Sequence, residues 1–555
     1  KKGLLVSTDP ASNLDEVLHV ELGPAPSAVP GVARLDALNI DPEACASHYR
    51  ERLLGPYRGL LPEASLKSME EQLSGSCTTE IAAFDEFARF LGDSEKTANY
   101  DHVIFDTAPT GHTMRLLSLP KSWSTFIECN TTGTSCLGPL AGLQQQQDIY
   151  ASSVRALMDR ARTTLVLVAR AEQSALREAA KTSVELRQIG VENQCLVLNG
   201  ILKRDAAGDA VASAFASRGQ TALDTMPKEL AELPTQKILL NAKPLLGVES
   251  LREMLKPVIS TLAAELFSLS AELPPPLLSI VDDLEKSGKG VIMTMGKGGV
   301  GKTSIAAAIA VELARRGNPV HLSTTDPAAH IGWVVENPVP LLTISRIDPS
   351  EQTKAYQDEV MQSAGANLDA QGRALLDEDL RSPCTEEVAV FRSFANVVAE
   401  GQSGFVVLDT APTGHTVLLL DAAQAYHKEV LRQSSHMPDS VINLLPRLRD
   451  RAFTRILIIT LPEATPVHEA KRLQEDLARA DIHPFAWIIN QALSAVKTTN
   501  SVLVARQQNE KPYIDEVKQL AERVAIVPWL PEAPSHSSGL DKLLGAKAPL
   551  KSIVR

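Results

Sequence analysis

Between Gly296 and Ser304 the chain reads GKGGVGKTS. Gly296, Lys297, Gly298, Gly299, Val300, Gly301, Lys302 and Thr303 fit the spacing G-x-x-x-x-G-K-[ST]. The segment follows the apolar run VIMTM and precedes the helical stretch SIAAAIAVELARRG, which is the context a phosphate-binding loop needs. The glycines let the backbone curl so that its N–H groups face phosphate oxygens, and the helix that follows adds positive potential at its first turn. Lys302 is expected to neutralise β and γ oxygens, and Thr303 to offer a hydroxyl to Mg²⁺. The chemistry expected of Gly296 to Ser304 is therefore binding and cleavage of ATP with Mg²⁺.

Lys297 is a second lysine in a loop that already has one. Read alone it is a solvated surface charge. The form GKGGVGKT resembles the deviant Walker-A ATPases, and that resemblance implies a lysine that reaches across a dimer or pseudo-dimer to the nucleotide of the opposite half, stabilising charge as an arginine finger does.

Four carboxylates recur in matching phrases. Asp409 ends the apolar strand GFVVLDT, where a carboxylate can hold Mg²⁺ through water, and Asp106 matches it. Asp326 and Asp9, in TTDPAA and STDPAS, follow other strands and are candidates for orienting or deprotonating an attacking water; capping a turn before proline is the plainer alternative. Asn199 in LVLNG and Asn490 in WIINQ end later strands. Each is a candidate for an adenine edge or a simple loop cap.

These residues are positioned by a tandem duplication. STDPAS (7–12) returns as TTDPAA (324–329), IDPEACASHY (40–49) as IDPSEQTKAY (347–356), CTTEIAAFDEF (77–87) as CTEEVAVFRSF (384–394), and DTAPTGHT (106–113) unchanged at 409–416. The order is preserved, so two copies of one domain are expected. Apolar strand runs alternate with helical stretches such as SALREAAKTSVELRQIG (174–190), which indicates mostly parallel sheets covered on both faces. The fold class expected is α/β, two tandem pseudo-symmetric P-loop NTPase domains, each a mostly parallel sheet flanked by helices. The proline cluster and charged run of AELPPPLLSIVDDLEKSGKG (271–290) read as a linker, dividing a first half, 1–275, from a second, 276–555. A counterpart of the phosphate loop in the first half would fall ahead of Lys1, so the first P-loop is expected to be missing from this sequence.

The bulk numbers agree. At 555 residues the chain exceeds one usual core. A formal charge of −12, from 55 basic and 67 acidic residues, argues against a nucleic-acid or anionic-membrane surface. Apolar runs such as RILIITL (455–461) are far shorter than a membrane span. The opening KKGLLVSTDPASN reads as strand and loop rather than a secretory leader, and the expected setting is the cytoplasm. Six cysteines, without a C-x-x-C pair, give neither a disulfide framework nor a zinc site.

Cys77 and Cys384 occupy equivalent places in the two copies, and Cys136 has no counterpart. Any one of them can be a small apolar residue. Two repeat-related thiols and a third also supply the three ligands that trivalent arsenic or antimony prefers. His112 and His415 sit six residues after Asp106 and Asp409, close enough to link metalloid binding with nucleotide state, or to be ordinary satisfied polar residues.

Together GKGGVGKT, the paired TDPA and DTAPTGHT phrases and the CTTE/CTEE pair resemble the arsenical pump-driving ATPase family across essentially the whole chain. That resemblance implies a cytosolic ATPase that binds arsenite or antimonite between its halves and drives a membrane permease, working at the inner face of the cell membrane, with an arsenic metallochaperone as a further partner. It places metalloid ligands on Cys77, Cys136 and Cys384, with His112, His415 and Ser382 associated. The alternative is a tail-anchored-protein targeting ATPase, which shares the core; the fused halves, the absent C-x-x-C and only nine methionines speak against it.

Overall fold

The computed structural model describes residues 1–9, 12–73, 76–107, 134–135, 138–139, 147–203, 208–254, 272–325, 338–381, 383–410, 438–532, 534 and 537–545. In chain order the N-terminal strands are β1 (Gly3–Ser7), β2 (Ser27–Ala28), β3 (Leu35–Asn39), β4 (His102–Asp106), the short pair β5 (Thr134–Ser135) and β6 (Gly138–Pro139), β7 (Leu165–Arg170), β8 (Gln194–Ile201) and β9 (Thr235–Leu239). The C-terminal strands are β10 (Gly290–Met295), β11 (Val320–Thr324), β12 (Leu342–Arg346), β13 (Phe405–Asp409), β14 (Thr454–Thr460), β15 (Pro484–Ala492) and β16 (Val524–Pro528).

The C-terminal strands form one parallel sheet in the order β12-β11-β13-β10-β14-β15-β16. Every residue of β10, GVIMTM, is buried, as a central parallel strand covered on both faces must be. One face packs on the helix Lys302–Arg315 and its neighbour Leu278–Glu285, through Ile292, Phe405, Val407, Leu457 and Ile459. The other packs on Pro383–Glu400 and Ala464–Arg479, through Val291, Met293, Val406, Leu408, Ile456 and Ile458. The alanines of Lys302–Arg315 let this helix lie close to the sheet, and it ends at Gly317, whose φ of 92° and bond to the Ala314 carbonyl form a left-handed cap.

The N-terminal strands form two smaller sheets, β2-β3-β1-β4 and β7-β8-β9. The repeated DTAPTGHT matches β4 to β13, and TTLVLVARAEQSALREA (163–179) laid on TRILIITLPEATPVHEA (454–470) matches β7 to β14. Among the described residues, no strand stands between β4 and β7 as β10 stands between β13 and β14. Val103, Phe105, Leu165 and Leu167 enter the N-terminal core, whereas Ile104, Val166 and Val168, the equivalents of buried Val407, Leu457 and Ile459, are 56%, 51% and 64% exposed.

The twin IDP phrases are helix starts. Asp41 accepts from Glu43 N and Ala44 N, and Asp348 from Ser350 N and Glu351 N, each with proline in the first turn. The stretch expected to be a linker is corrected in part. Ile526 N donates to the Pro275 carbonyl and Pro276 bridges the edge of β16, and Leu277, Ile280, Val281 and Leu284 are fully or nearly buried. Their helical spacing makes 278–285 an amphipathic helix of the C-terminal core, which the prolines and charges obscured. Among the described residues no helix is long and apolar enough to cross a membrane.

Candidate functional site

The phosphate loop is shaped by three glycines of positive φ, two of them at close quarters. Gly296 has φ 148° and a Cβ there would lie 2.2 Å from the Ile459 carbonyl; Gly301 has φ 94° and its Cβ would lie 2.3 Å from Asn490 Nδ2. Gly299, φ 79°, faces open space. Only glycine satisfies both the conformation and the clearance. Lys302, 6% exposed, folds back over the loop and donates to the carbonyls of Gly296 (3.0 Å) and Lys297 (3.1 Å), and Ser304 lies in the helix that follows.

Parallel register then delivers the carboxylate. Thr294 and Thr324 both stand opposite Asp409, at the carboxyl ends of β10, β11 and β13. Asp409 is fully buried. Its Oδ2 accepts from Thr303 Oγ1 at 2.8 Å and from Thr324 Oγ1 at 3.2 Å. A hydroxyl and a carboxylate held together beside the loop helix form the hard-oxygen donor set that suits Mg²⁺, and the open face at Gly299 leaves room for phosphate. The residues present fit the pair ATP and Mg²⁺.

Asn490, near the end of β15, lies against this loop. It is 3% exposed, donates Nδ2 to the Val300 carbonyl at 2.8 Å, and accepts Gln491 N at 2.9 Å. Its first use in the structure is therefore to brace the loop, with one N–H and one lone pair remaining for a base edge. Asn199, on β8, is exposed.

In the N-terminal half Asp106 takes the place of Asp409, with Ser7 opposite it and Thr8 N bonded to its carbonyl at 2.8 Å. Partial burial and the charge of Asp9 raise the Asp106 carboxyl above its ordinary value, while Lys297 of the other half acts in the opposite sense. Lys297 itself pairs with Glu469 on the helix Ala464–Arg479, and Asn13 of the N-terminal half donates to the same carboxylate oxygen. Glu469 is 5% exposed. Burial raises its carboxyl, opposed by Lys297 and Asn13, with Asp9 adding to the rise. Lys297, Glu469 and Asn13 are thus in contact at the junction, within electrostatic reach of Asp9 and Asp106. Sequence reasoning missed Glu469 and Asn13. The signal for Glu469 was a charged residue between Val467 and Ala470 on the apolar face of its helix.

More of the junction is polar and reciprocal. Asp209 caps its own helix, Ala210–Asp224, through Ala212 N, and its other oxygen accepts from Thr498 Oγ1, Thr499 N and Asn500 N of the C-terminal half. Arg218 donates to the Leu530 carbonyl at 3.4 Å, while Arg506 and Asn509 donate to those of Asn241 (3.1 Å) and Ala242 (2.7 Å). Phe215 stacks on Trp529 at 5.2 Å, within a core cluster that joins Ala212 and Leu240 to Leu493, Leu503 and Trp529. His468 meets Glu16 at 2.8 Å.

Cys77 and Cys384 are each the second residue of equivalent helices, Ser76–Gly92 and Pro383–Glu400. Cys136, His112, His415, Ser382 and Asp326 lie outside the described residues. Cys45 is partly buried, and burial with nearby carboxylates pushes its thiol up to about 11, which disfavours a thiolate there.

A sequence profile described as Anion-transporting ATPase matches residues 1–260, 289–444 and 419–550. The chain is 50% identical over 547 residues to an arsenical pump-driving ATPase of Escherichia coli, covering 98% of this chain and 93% of the relative. A putative arsenical pump-driving ATPase of Halobacterium salinarum is 30% identical, with 97% of this chain and 88% of the relative covered. ATPase GET3 of Komagataella phaffii is 29% identical over 48% of this chain and 83% of the relative.

Proposed function

The chain belongs to the anion-transporting ATPase family, and from that premise we propose that it hydrolyses ATP at the junction of its halves, 1–275 and 276–555, to drive extrusion of arsenite or antimonite through a membrane permease. The observation that carries the reading is the contact of Lys297, on the phosphate loop of one half, with Glu469, whose same carboxylate oxygen accepts from Asn13 of the other half, while the charge of Lys297 acts on Asp106.

In this reading the loop amides and Lys302 bind the β and γ phosphates of ATP, and Thr303 and Asp409 hold Mg²⁺, with Asp106 in the same place for the N-terminal half. When bound, Mg²⁺ offsets charge on the transferring phosphoryl group. Asp326 and Asp9 orient the attacking water. Asn490 and Asn199 face the base. Lys297 leaves Glu469 to stabilise the nucleotide of the opposite half as the halves close, and Asn13, on the same carboxylate, carries that movement to the N-terminal half.

The twin placement of Cys77 and Cys384 at helix starts, where positive potential favours thiolates, supports a metalloid site made with Cys136, and with His112, His415 and Ser382 beside it. The metalloid draws the halves together and hydrolysis releases it to the permease at the cytoplasmic face of the membrane. An arsenic metallochaperone delivers it.

Phosphate release by the full chain, measured with and without antimonite, tests this. Stimulation is expected in the unaltered protein and not in the Cys77→Ser, Cys136→Ser, Cys384→Ser triple variant. Equal stimulation in that variant would refute the metalloid site.

A further inference from the structure

β15 does not simply end at Asn490. Gln491 adopts φ 56°, Ala492 accepts from Trp529 N, and a tight turn, Leu493–Ala495, follows. Its leading N–H groups point at one buried side chain. Leu493 N donates to Glu510 Oε1 at 3.0 Å, Ser494 N to Oε2 at 2.7 Å, and Ser494 Oγ to the same Oε2. One helical turn earlier, Gln507 donates to the carbonyls of Leu493 and Val496, both at 2.8 Å. Both side chains are 6% exposed. An internal carboxylate is costly unless it is fully used, and no step of ATP cleavage uses this one.

Among the described residues the arrangement is found in the C-terminal half. Aligning the helices Ser501–Leu520 and Ala210–Asp224 on their caps, Asn500 and Asp209, puts Gly219 in the place of Glu510.

We propose that Glu510 is a positioning residue of the ATP site at 296–303: by fixing the turn 493–494 it fixes Asn490 against Val300 and Gly301, and so sets the affinity of the loop for nucleotide. The inference rests on the reading of that loop as an ATP site.

Burial pushes the Glu510 carboxyl up to about 7, opposed by the Ser494 and Leu493 donors and by Arg506. Arg506 is the charged group that acts on it, and is itself paired with Glu463. The charged form accepts all three bonds. On protonation Oε2 must donate, Ser494 Oγ turns its proton to the Gln507 carbonyl 3.3 Å away, and the bond from Ser494 N weakens. The turn is held most firmly above neutrality.

The test is the dissociation constant of MgADP for the full chain, by calorimetry from pH 5.5 to 8.5, for the unaltered protein and Glu510→Gln. The nucleotide phosphate titrates in this range too, so the quantity to read is the ratio of the two constants. The ratio is expected near one at the acid end, where Glu510 is as neutral as glutamine, rising to about fivefold to tenfold at pH 8 as charge-assisted bonds are lost. A ratio that stays flat across the range overturns the proposal. Should Glu510→Gln not fold, Ser494→Ala replaces it. Removing a donor moves the Glu510 titration upward, so its ratio peaks between about pH 7 and 8, and a flat ratio again overturns the proposal. Failure of the unaltered protein to bind MgADP at any pH would instead overturn the ATP-site reading.

Discussion

Asp209→Ala removes a carboxylate that caps one helix and accepts the amide of Asn500, the cap of another in the opposite half. Loss of its own cap, through Ala212 N, costs about 1 kcal/mol. The bonds from Thr498 Oγ1 at 2.6 Å, Thr499 N at 2.5 Å and Asn500 N at 2.9 Å go with it. At a conservative ~0.7 kcal/mol each for partly exposed bonds, the total is about 3 kcal/mol. Native-state hydrogen exchange reads this at the Thr499 and Asn500 amides, where 3 kcal/mol corresponds to roughly a hundredfold faster exchange. The pH dependence is a second check. Burial acts to raise the Asp209 carboxyl, but the bonds from Thr498, Ala212, Thr499 and Asn500 outweigh it and hold the group well below its ordinary value. A lowered folded value means the stabilisation is complete above the unfolded carboxyl's ~3.9 and is lost as pH falls through the folded one. The difference between the two proteins should therefore hold constant from pH 8 to 5 and shrink only in stronger acid. Unchanged exchange at Thr499 and Asn500, or a difference that already fades between pH 7 and 5, would refute the reasoning.

Gly301→Ala places a Cβ at φ 94° and 2.3 Å from Asn490 Nδ2, costing about 1–2 kcal/mol of loop geometry; calorimetry should show MgADP binding weakened about tenfold, with little change in melting temperature. Trp529→Ala removes a 6% exposed ring stacked on Phe215 and should cost about 3–5 kcal/mol. Because the ring joins the halves, unfolding followed by two probes, one in each half, should lose its coincidence, and coincident transitions would count against a junction role.

The phosphate loop was legible because its function demands a fixed local spacing and the glycines leave no substitute. Asp409 and Asp106 were legible as strand ends for the same reason. Other features were hidden by competing signals. The prolines and charges at 271–290 masked the helical spacing of Leu277, Ile280, Val281 and Leu284, which the C-terminal core then enforced. Asn490 was legible only as a strand-end amide, and its contact with Val300 of the phosphate loop comes from an element 190 positions away.

The sequence by itself determined the duplication, the alternation of parallel strands with helices, the phosphate loop and the twin cysteines, since each is written in neighbouring residues or in the repeat of whole phrases. Only the tertiary structure decided who meets whom at the junction. Asn13 donates to Glu469 across 456 positions of chain, Asp209 accepts the amide of Asn500, the cap of a helix nearly 300 residues away, and Glu510 acquires its purpose from a turn it touches only after folding. A buried polar group takes its role from the donors that surround it, and those come from elements whose distance along the chain leaves no periodic trace.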